Sequence, residues 1–420
     1  MRPEATTRRG DGYAPICAVL ARREGISSRR VNNESETRHR NRQPRAGMVP
    51  RDPAEPGRGS TSLELFLDLV FAAAVGLASS SFHSAVLHGG LGASLAGYAM
   101  VFFAIWWAWM NFTWFASAYD CDDAAYRLTT LIQMAGVLIL AAGVPDAMAG
   151  RGFTLIVAGY VVMRIAMISQ WLRAAVADPP RRHVAVTYAV GIAAVQLGWV
   201  AWLFIPWAAA FFVVFAALEL AVPVIAEYRA TTPWHGGHIA DRYGSFTLIV
   251  LGGTVLAATN AVIIARNDVS HVGTLVTVSA SGLVLAGSLW WLYFDRPQHD
   301  LLTDLAKALR WGYGHYFIFA AVATLSVGIE IVLDYDIGRT ALSHTAAAAF
   351  VTAPAAVFVI MFWALSLRHR ADVTLNVTVL AGALAIGCTA WLNQALPAAA
   401  ILAALVAATA TIRARQADHA

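Results

Sequence analysis

From Leu63 to about Thr411 the chain is a series of long apolar stretches, each about the length needed to cross a lipid bilayer. The hydrocarbon core of a bilayer is about 30 Å thick, and about 20 apolar helical residues span it. Lipid offers no hydrogen-bond partners to the backbone, so helices are the expected spanning element. A membrane β-barrel is excluded because the stretches are continuously apolar and do not alternate with a period of two. The sequence therefore predicts an all-α, polytopic transmembrane helical bundle.

The hydropathy pattern predicts about twelve spans, with boundaries good to within a few residues. They are residues 63–82, 91–116, 126–144, 153–175, 183–204, 207–226, 243–265, 272–294, 311–333, 345–366, 372–391 and 394–413.

The distribution of basic residues predicts the orientation of these spans. With the N-terminus in the cytoplasm, the inner segments carry 13 lysines and arginines even when the N-terminal tail is left out, whereas the outer loops carry 3. The three outer residues are Arg151, Arg266 and Arg339. We therefore expect both termini in the cytoplasm and the chain in the bacterial cytoplasmic (inner) membrane.

Residues 1–60 differ in composition from the rest of the chain. They are rich in Arg, Pro, Gly and Ser, and they hold 13 arginines, which predicts a disordered tail. Met48 is an alternative start that would leave a short leader. An arginine-rich arm can bind anionic lipid or nucleic acid, but a solvated tail is the simpler interpretation, so we expect no nucleic-acid partner. Residues 416–420 form a short C-terminal tail.

The two halves of the chain resemble each other. An acidic residue precedes an aromatic one by two positions at Glu64 and at Asp241, and the pairs Trp106-Trp107 and Trp290-Trp291 occupy matching places in the second and eighth spans. Such landmarks predict a duplication, with a first six-helix repeat over 61–226 and a second over 227–415. Each repeat has an even number of spans, so the repeats are parallel in the membrane.

Ionisable residues within apolar spans are the main functional candidates, because a charge at bilayer depth needs a partner or a watery cavity. One interpretation is a polar pathway or a proton or cation site, with Arg164 as the counter-charge. The other is structural: Arg164 locks helices through a carboxylate, and the first-span acids cap their helix or bind loop arginines. The candidate pathway residues are Glu64, Asp68, Arg164, Glu219 and Glu330.

A second acidic group lies in the loop after the second span, at Asp120, Asp122, Asp123 and Arg127. Dense carboxylates can bind a divalent cation, but self-pairing with nearby arginines is the more common arrangement. The histidines at 235 and 238 have no cysteine nearby. Cys17, Cys121 and Cys388 are far apart and form neither a disulfide framework nor a metal spacing. The sequence thus predicts no metal and no cofactor, and it contains no nucleotide-binding motif.

Several separated motifs resemble the bacterial low temperature requirement A (LtrA) family. They include Ser62-Leu63-Glu64-Leu65-Phe66-Leu67-Asp68-Leu69-Val70-Phe71, residues 119–127, Asp241-Arg242-Tyr243-Gly244, residues 290–295, and Tyr313-Gly314-His315 followed by Gly328-Ile329-Glu330. The resemblance covers about residues 60–415. It implies a multi-pass inner-membrane protein linked to growth in the cold. One departure is Gly253, where the family usually has a carboxylate.

Phe66 and Asp68 also resemble the start of the first helix in the bacterial and lysosomal potassium channels built from six-span repeats. We therefore expect a transporter or channel for a small solute or ion, and not an enzyme. A membrane-embedded enzyme acting on lipid and a non-transporting stress-adaptation protein remain the alternatives. The lipid bilayer is the expected partner, and a small ion or solute and a second copy of the chain are left open.

Overall fold

The computed structural model describes residues 48–88, 91–119, 121–205, 209–267 and 272–418, and all regular secondary structure within these ranges is helical. Met48–Ala420 forms one compact unit.

The first half contains six long helices and one short helix. These are α1 (Ser62–His88), α2 (Leu91–Tyr119), α3 (Ala124–Ala142), the five-residue α4 (Val144–Met148), α5 (Thr154–Ala177), α6 (Arg182–Trp202) and α7 (Ala209–Ala226).

The second half contains six more helices. These are α8 (Gly236–Asn267), α9 (Val272–Phe294), α10 (Leu305–Asp336), α11 (His344–Phe362), α12 (Val373–Cys388) and α13 (Ala395–Asp418). A π-helical turn, Trp363–Leu367, extends α11, and 3-10 turns lie at Pro179–Arg181, His299–Leu301 and Thr389–Trp391.

Eleven helices of the described residues are long and apolar enough to cross a membrane, and α7 contributes a shorter apolar stretch, Ala210–Ala226. At about 1.5 Å per residue, that stretch covers most of a hydrocarbon core about 30 Å thick. The predicted all-α bundle of about twelve spans is therefore confirmed. The largest boundary differences are at the starts of α8 and α10, about two turns before the predicted residues 243 and 311, and at the end of α1, six residues after the predicted residue 82.

Side-chain caps explain where several helices begin. Asp123, Asp304 and Asp372 each accept a hydrogen bond from the backbone N–H three residues on, at the starts of α3, α10 and α12. At α1 the cap is reciprocal: Thr61 accepts from the Glu64 N–H, and the Glu64 carboxylate accepts from the Thr61 N–H at 2.7 Å. This capping box fixes the first turn of α1.

Polar contacts between helix termini define the two ends of the bundle. Ser60, before α1, meets Asp241 near the start of α8, and Asp123, before α3, meets Arg173 near the end of α5. We call this the basic end, because the arginine-rich connections lie there. At the opposite end, His83 of α1 lies 2.8 Å from Asp334 of α10.

Most helix neighbours are shared by the two halves, although α9 packs extensively on α13 in the second half and α2 makes no comparably extensive contact with α7 in the first. The first helix packs on the second and the third, the third on the fourth, the fourth on the fifth, and the fifth on the sixth. The third and fourth spans approach especially closely in both. A Cβ on Gly159 of α5 would collide with the backbone of Gly136 in α3, and a Cβ on Gly328 of α10 would collide with the Phe350 carbonyl of α11. The halves meet mainly where α1 contacts α8 and α10.

The N-terminal tail differs from the expectation over residues 48–60. Met48 is buried, the Arg51 N–H donates to the Ala118 carbonyl at 2.9 Å, and the Arg58 guanidinium donates to the carbonyls of Ala116 and Ser117. These residues therefore pack on the basic end, against the last turn of α2. Composition alone does not show this, because the contacts join the Arg51 N–H and the Arg58 guanidinium to backbone carbonyls in the last turn of α2. Residues 1–47 lie outside the described residues.

Candidate functional site

Two buried ionic clusters lie within the helical bundle. The first joins α1 to α8 and consists of Glu64, Asp68, His238 and Arg242; we call it the α1–α8 cluster. Each of these side chains is at most 1% exposed. Since α1 begins the first half and α8 begins the second, the cluster ties the two halves together near the basic end.

Arg242 is the centre of the α1–α8 cluster. Its guanidinium holds Asp68 with two hydrogen bonds, Nη2 to Oδ1 at 2.5 Å and Nε to Oδ2 at 3.0 Å. Its Nη1 donates to Oε1 of Glu64 at 3.1 Å. Asp68 and Glu64 are four residues apart, so they lie on the same face of α1 and reach one guanidinium. A planar guanidinium suits this two-carboxylate arrangement because its donors form a fixed fork.

Two further side chains complete the α1–α8 cluster. His238, one turn before Arg242 on α8, places Nε2 at 3.1 Å from Oε1 of Glu64, and its Nδ1 has no hydrogen-bond partner among the residues that the structure describes. The indole N–H of Trp109 on α2 donates to Oδ1 of Asp68 at 2.6 Å. Each of the two carboxylates therefore accepts hydrogen bonds from more than one side chain or backbone donor.

The second cluster joins α5 to α7 within the first half; it consists of Tyr160, Arg164 and Glu219, and we call it the α5–α7 cluster. Glu219 accepts hydrogen bonds from the indoles of Trp107, at 2.8 Å, and Trp199, at 3.2 Å. The Tyr160 hydroxyl donates to Glu219 at 3.2 Å, and Arg164 lies 3.4 Å from the same carboxylate. The Arg164 guanidinium also lies over the Tyr160 ring, 4.4 Å from its centroid. The positive charge of Arg164 and the negative charge of Glu219 therefore cancel.

Helix α2 separates the two clusters. Trp107 donates to the α5–α7 cluster and Trp109 donates to the α1–α8 cluster. Residues two apart on a helix point about 200° apart, so the two indoles face opposite sides of α2. Glu64 and Asp68 therefore do not converge with Glu219, and Arg164 is the counter-charge of Glu219 alone. These contacts are the ones that the structural interpretation expects.

The remaining candidates lie apart from both clusters. Glu330 on α10 accepts a long hydrogen bond, 3.4 Å, from the Asn260 amide of α8. In the acidic loop, Asp122 pairs with Arg127 at 2.6 Å, and this hydrogen bond lowers the pKa of the exposed Asp122. Asp123 caps α3 and pairs with Arg173. The loop acids are thus held by arginines, while Asp120 lies outside the described residues.

Metal binding finds no support in the part of the chain that the structure describes, where no three His, Cys, Asp or Glu side chains are grouped to hold an ion. His235 instead accepts a hydrogen bond at Nδ1 from the His238 N–H, and its Nε2 lies 2.9 Å from the Glu55 carbonyl oxygen. Gly253 of α8 faces Ser326 of α10, where an added Cβ would make ordinary contact at 3.8 Å. There is therefore space for a Cβ atom at position 253.

Sequence reasoning missed Arg242 and His238 as members of the α1–α8 cluster. It placed both in the loop before the seventh span, whereas α8 begins at Gly236 and contains them. The signal that could have revealed them is their spacing of four residues. It places His238 and Arg242 one helical turn apart when the seventh span is extended toward its N-terminus. Sequence reasoning also gave neither Trp107 nor Trp109 a place in the clusters, although their indole N–H groups donate to the buried carboxylates of Glu219 and Asp68.

Comparison with known proteins gives two findings. A model of the family described as "Bacterial low temperature requirement A protein (LtrA)" matches residues 59–413, which is most of the chain. An uncharacterised protein of Rhizobium meliloti (strain 1021) is 27% identical over 301 residues, covering 66% of this chain and 70% of that protein.

Proposed function

The chain belongs to the bacterial low temperature requirement A family, and from that premise we propose that this multi-pass membrane protein moves a small ion or solute across the bacterial inner membrane. The observation that carries the proposal is the α1–α8 cluster. Burying an ionisable group in a membrane protein costs free energy. Such groups are therefore rare, and they commonly belong to ion or proton pathways.

The charge of the α1–α8 cluster separates it from an ordinary structural ion pair. Glu64 and Asp68 contribute two negative charges, and Arg242 contributes one positive charge. With His238 neutral, the formal charge of the cluster is −1. A proton or a bound cation would cancel that excess. The α5–α7 cluster has no such excess, because Glu219 and Arg164 balance. The first cluster is therefore the candidate working site, and the second is a helix clamp.

The position of the α1–α8 cluster supports a gating role. It links the first helix of one half to the first helix of the other, and Ser60 adds a second link to Asp241, with Oγ at 2.6 Å from Oδ2. Movement of one half against the other would break these contacts together. The helix neighbours that the two halves share support a duplication of six helices, a plan common in transporters that rock around such an interface.

The orientation is part of the proposal. The excess of basic residues toward the basic end, 13 against 3, favours the cytoplasm for that end and for both termini. The α1–α8 cluster would then be an inner gate. The link to growth in the cold, which the family description names, belongs to the proposal as well. Transport needs no catalytic side chain, and the proposal assigns none.

A flux measurement on purified protein tests the proposal. The full chain is reconstituted into liposomes, and a pH gradient and separate sodium and potassium gradients are imposed. We expect flux above that of protein-free liposomes under at least one gradient, and we expect Glu64→Gln to lower it.

The matched control for that measurement is Asp122→Asn. It removes a carboxylate from the same end of the bundle, but from an exposed ion pair whose two side chains are 57% and 43% exposed. Flux should be unchanged in this variant. Equal flux in wild type and Glu64→Gln would contradict the proposed role of the cluster, and no flux under any gradient would contradict ion transport. A non-transporting membrane protein, whose ion pairs only hold helices together, would give that second result.

A further inference from the structure

A cavity of about 320 Å³ lies at the opposite end of the bundle, within the second half and away from both ionic clusters. Its walls come from the start of α9, the end of α10, the start of α11 and the turn between α12 and α13. Small-molecule sites begin at about this size. The polar side chains that line it are Thr274, Thr277, Tyr335, Asp336, His344, Asn393 and Gln394.

The negative side of the cavity is formed by the end of α10. Asp336 is the last residue of that helix, and it makes no ion pair with any other described residue, whereas the neighbouring acid Asp334 is held by His83. The helix C-terminus adds partial negative charge from its unsatisfied carbonyls. A cationic group entering the cavity would therefore meet both a carboxylate and a helix C-terminus.

The positive side of the cavity is formed by the first turns of other helices. Gly273 and Thr274 belong to the first turn of α9, His344 begins α11, and Ala395 begins α13. The first N–H groups of a helix lack intrahelical partners and favour an anion. Pro397 removes one donor from α13, and the Ser343 hydroxyl already accepts from the Ala346 N–H of α11, but the remaining first-turn N–H groups belong to three helices. An anionic group would meet these backbone donors.

We propose that this cavity binds a small zwitterion, with its ammonium group at Asp336 and its carboxylate at the first turns of α9 and α11. A solute with one charge would satisfy only one side of the cavity, since the carboxylate repels an anion and the helix N-termini disfavour a cation. Apolar contacts with Val278, Ala347 and Val351 leave room for a small aliphatic side chain. The ligand class is thus a small aliphatic amino acid. The inference deepens the proposed transport function by naming a substrate class.

Binding is measured without transport, so that the failure of one proposal is distinguishable from the failure of the other. Purified full-length protein is titrated with L-alanine, which carries both charges, with ethylamine, which is alanine without its carboxylate, and with propionate, which is alanine without its ammonium group. Calorimetry and the thermal unfolding temperature report binding. We expect L-alanine to bind and to raise the unfolding temperature, with ethylamine and propionate each about tenfold weaker or more.

Two variants locate the site. Asp336→Asn removes the charge without changing the shape, and we expect L-alanine affinity to fall about tenfold or more. Thr274→Trp fills the mouth of the cavity from an exposed position and should abolish binding. Asp146→Asn removes an exposed carboxylate outside the cavity at the same end and should bind as wild type does.

Three results would overturn the inference. Ethylamine or propionate binding as tightly as L-alanine would show a site for a single charge, and the absence of L-alanine binding by folded wild-type protein would show no such site. L-alanine binding that is unchanged in both Asp336→Asn and Thr274→Trp would place the ligand elsewhere. None of these results bears on whether the α1–α8 cluster conducts ions.

Discussion

At the scale of single residues, Asp68 and Arg242 play unequal parts in the α1–α8 cluster. Asp68 is one of two carboxylates that share a guanidinium, so its removal leaves Arg242 paired with Glu64. Arg242 is the only guanidinium in the cluster, so its removal leaves two buried carboxylates without a counter-charge. An uncompensated buried charge typically costs about 3–5 kcal/mol.

We therefore predict that two substitutions differ in their effects on flux and on thermal stability. Asp68→Asn keeps the shape and the acceptor for Trp109, so flux should fall while thermal stability stays near wild type. Arg242→Met should lower the free energy of unfolding by about 3–5 kcal/mol. Unfolding temperature and liposome flux, measured on the same purified preparations, check this. A loss of stability in Asp68→Asn as large as that in Arg242→Met, with flux unchanged, would show that Asp68 is only structural.

At the scale of helices, the sequence predicted the spans well but missed the ends that matter for the site. The run Gly236 to Arg242 contains Gly, His, Asp and Arg, so its hydropathy is low and the predicted span began at residue 243. The structure extends α8 over these residues because Arg242 is paired with Glu64 and Asp68, His238 contacts Glu64, and Asp241 faces solvent. A hydropathy scale gives the free-energy cost of burying one side chain in isolation. It does not register an ion-pair partner on another helix.

The partners themselves lie too far apart in the chain for any local pattern to reveal them. Arg242 and Asp68 are separated by 174 positions, and Arg164 and Glu219 by 55. The sequence did identify Glu64, Asp68, Arg164 and Glu219 as charges within spans, because that follows from hydropathy alone. The proposed joint pathway needed their convergence, and α2 keeps the two groups on opposite sides.

Close helix packing gives a second prediction. Gly159 and Gly328 occupy the tightest contacts between the third and fourth spans of each half, where an added Cβ would collide with backbone atoms. Alanine at either position should destabilise the protein by about 1–3 kcal/mol, because backbone cannot move aside as a side chain can. Gly252→Ala is the control, since no atom lies within 4 Å of its added Cβ. Thermal unfolding of the three variants checks this, and similar stability for all three would argue against the close approach.

At the scale of the whole molecule, the orientation is open to a direct test. In a background without the three native cysteines, Arg339→Cys should react with a membrane-impermeant maleimide in intact cells. Arg229→Cys should react only after permeabilisation, because the basic end is expected in the cytoplasm. The reverse pattern would show that the bundle is inserted the other way round.

The central claim is that the two halves separate at the α1–α8 cluster during transport. Ser60→Cys and Asp241→Cys, in the same background, place thiols where the Ser60 hydroxyl and the Asp241 carboxylate are 2.6 Å apart. A short, reducible, thiol-specific cross-linker would then join the halves. The control pair, Asp146→Cys and Arg151→Cys, joins α4 to the turn that follows it, at the opposite end.

Flux through reconstituted protein before cross-linking, after it and after reduction is the deciding measurement. Our account predicts that cross-linking the first pair stops flux, that reduction restores it, and that cross-linking the control pair has no effect. Flux that continues at the wild-type rate through fully cross-linked Ser60→Cys/Asp241→Cys protein would contradict the account.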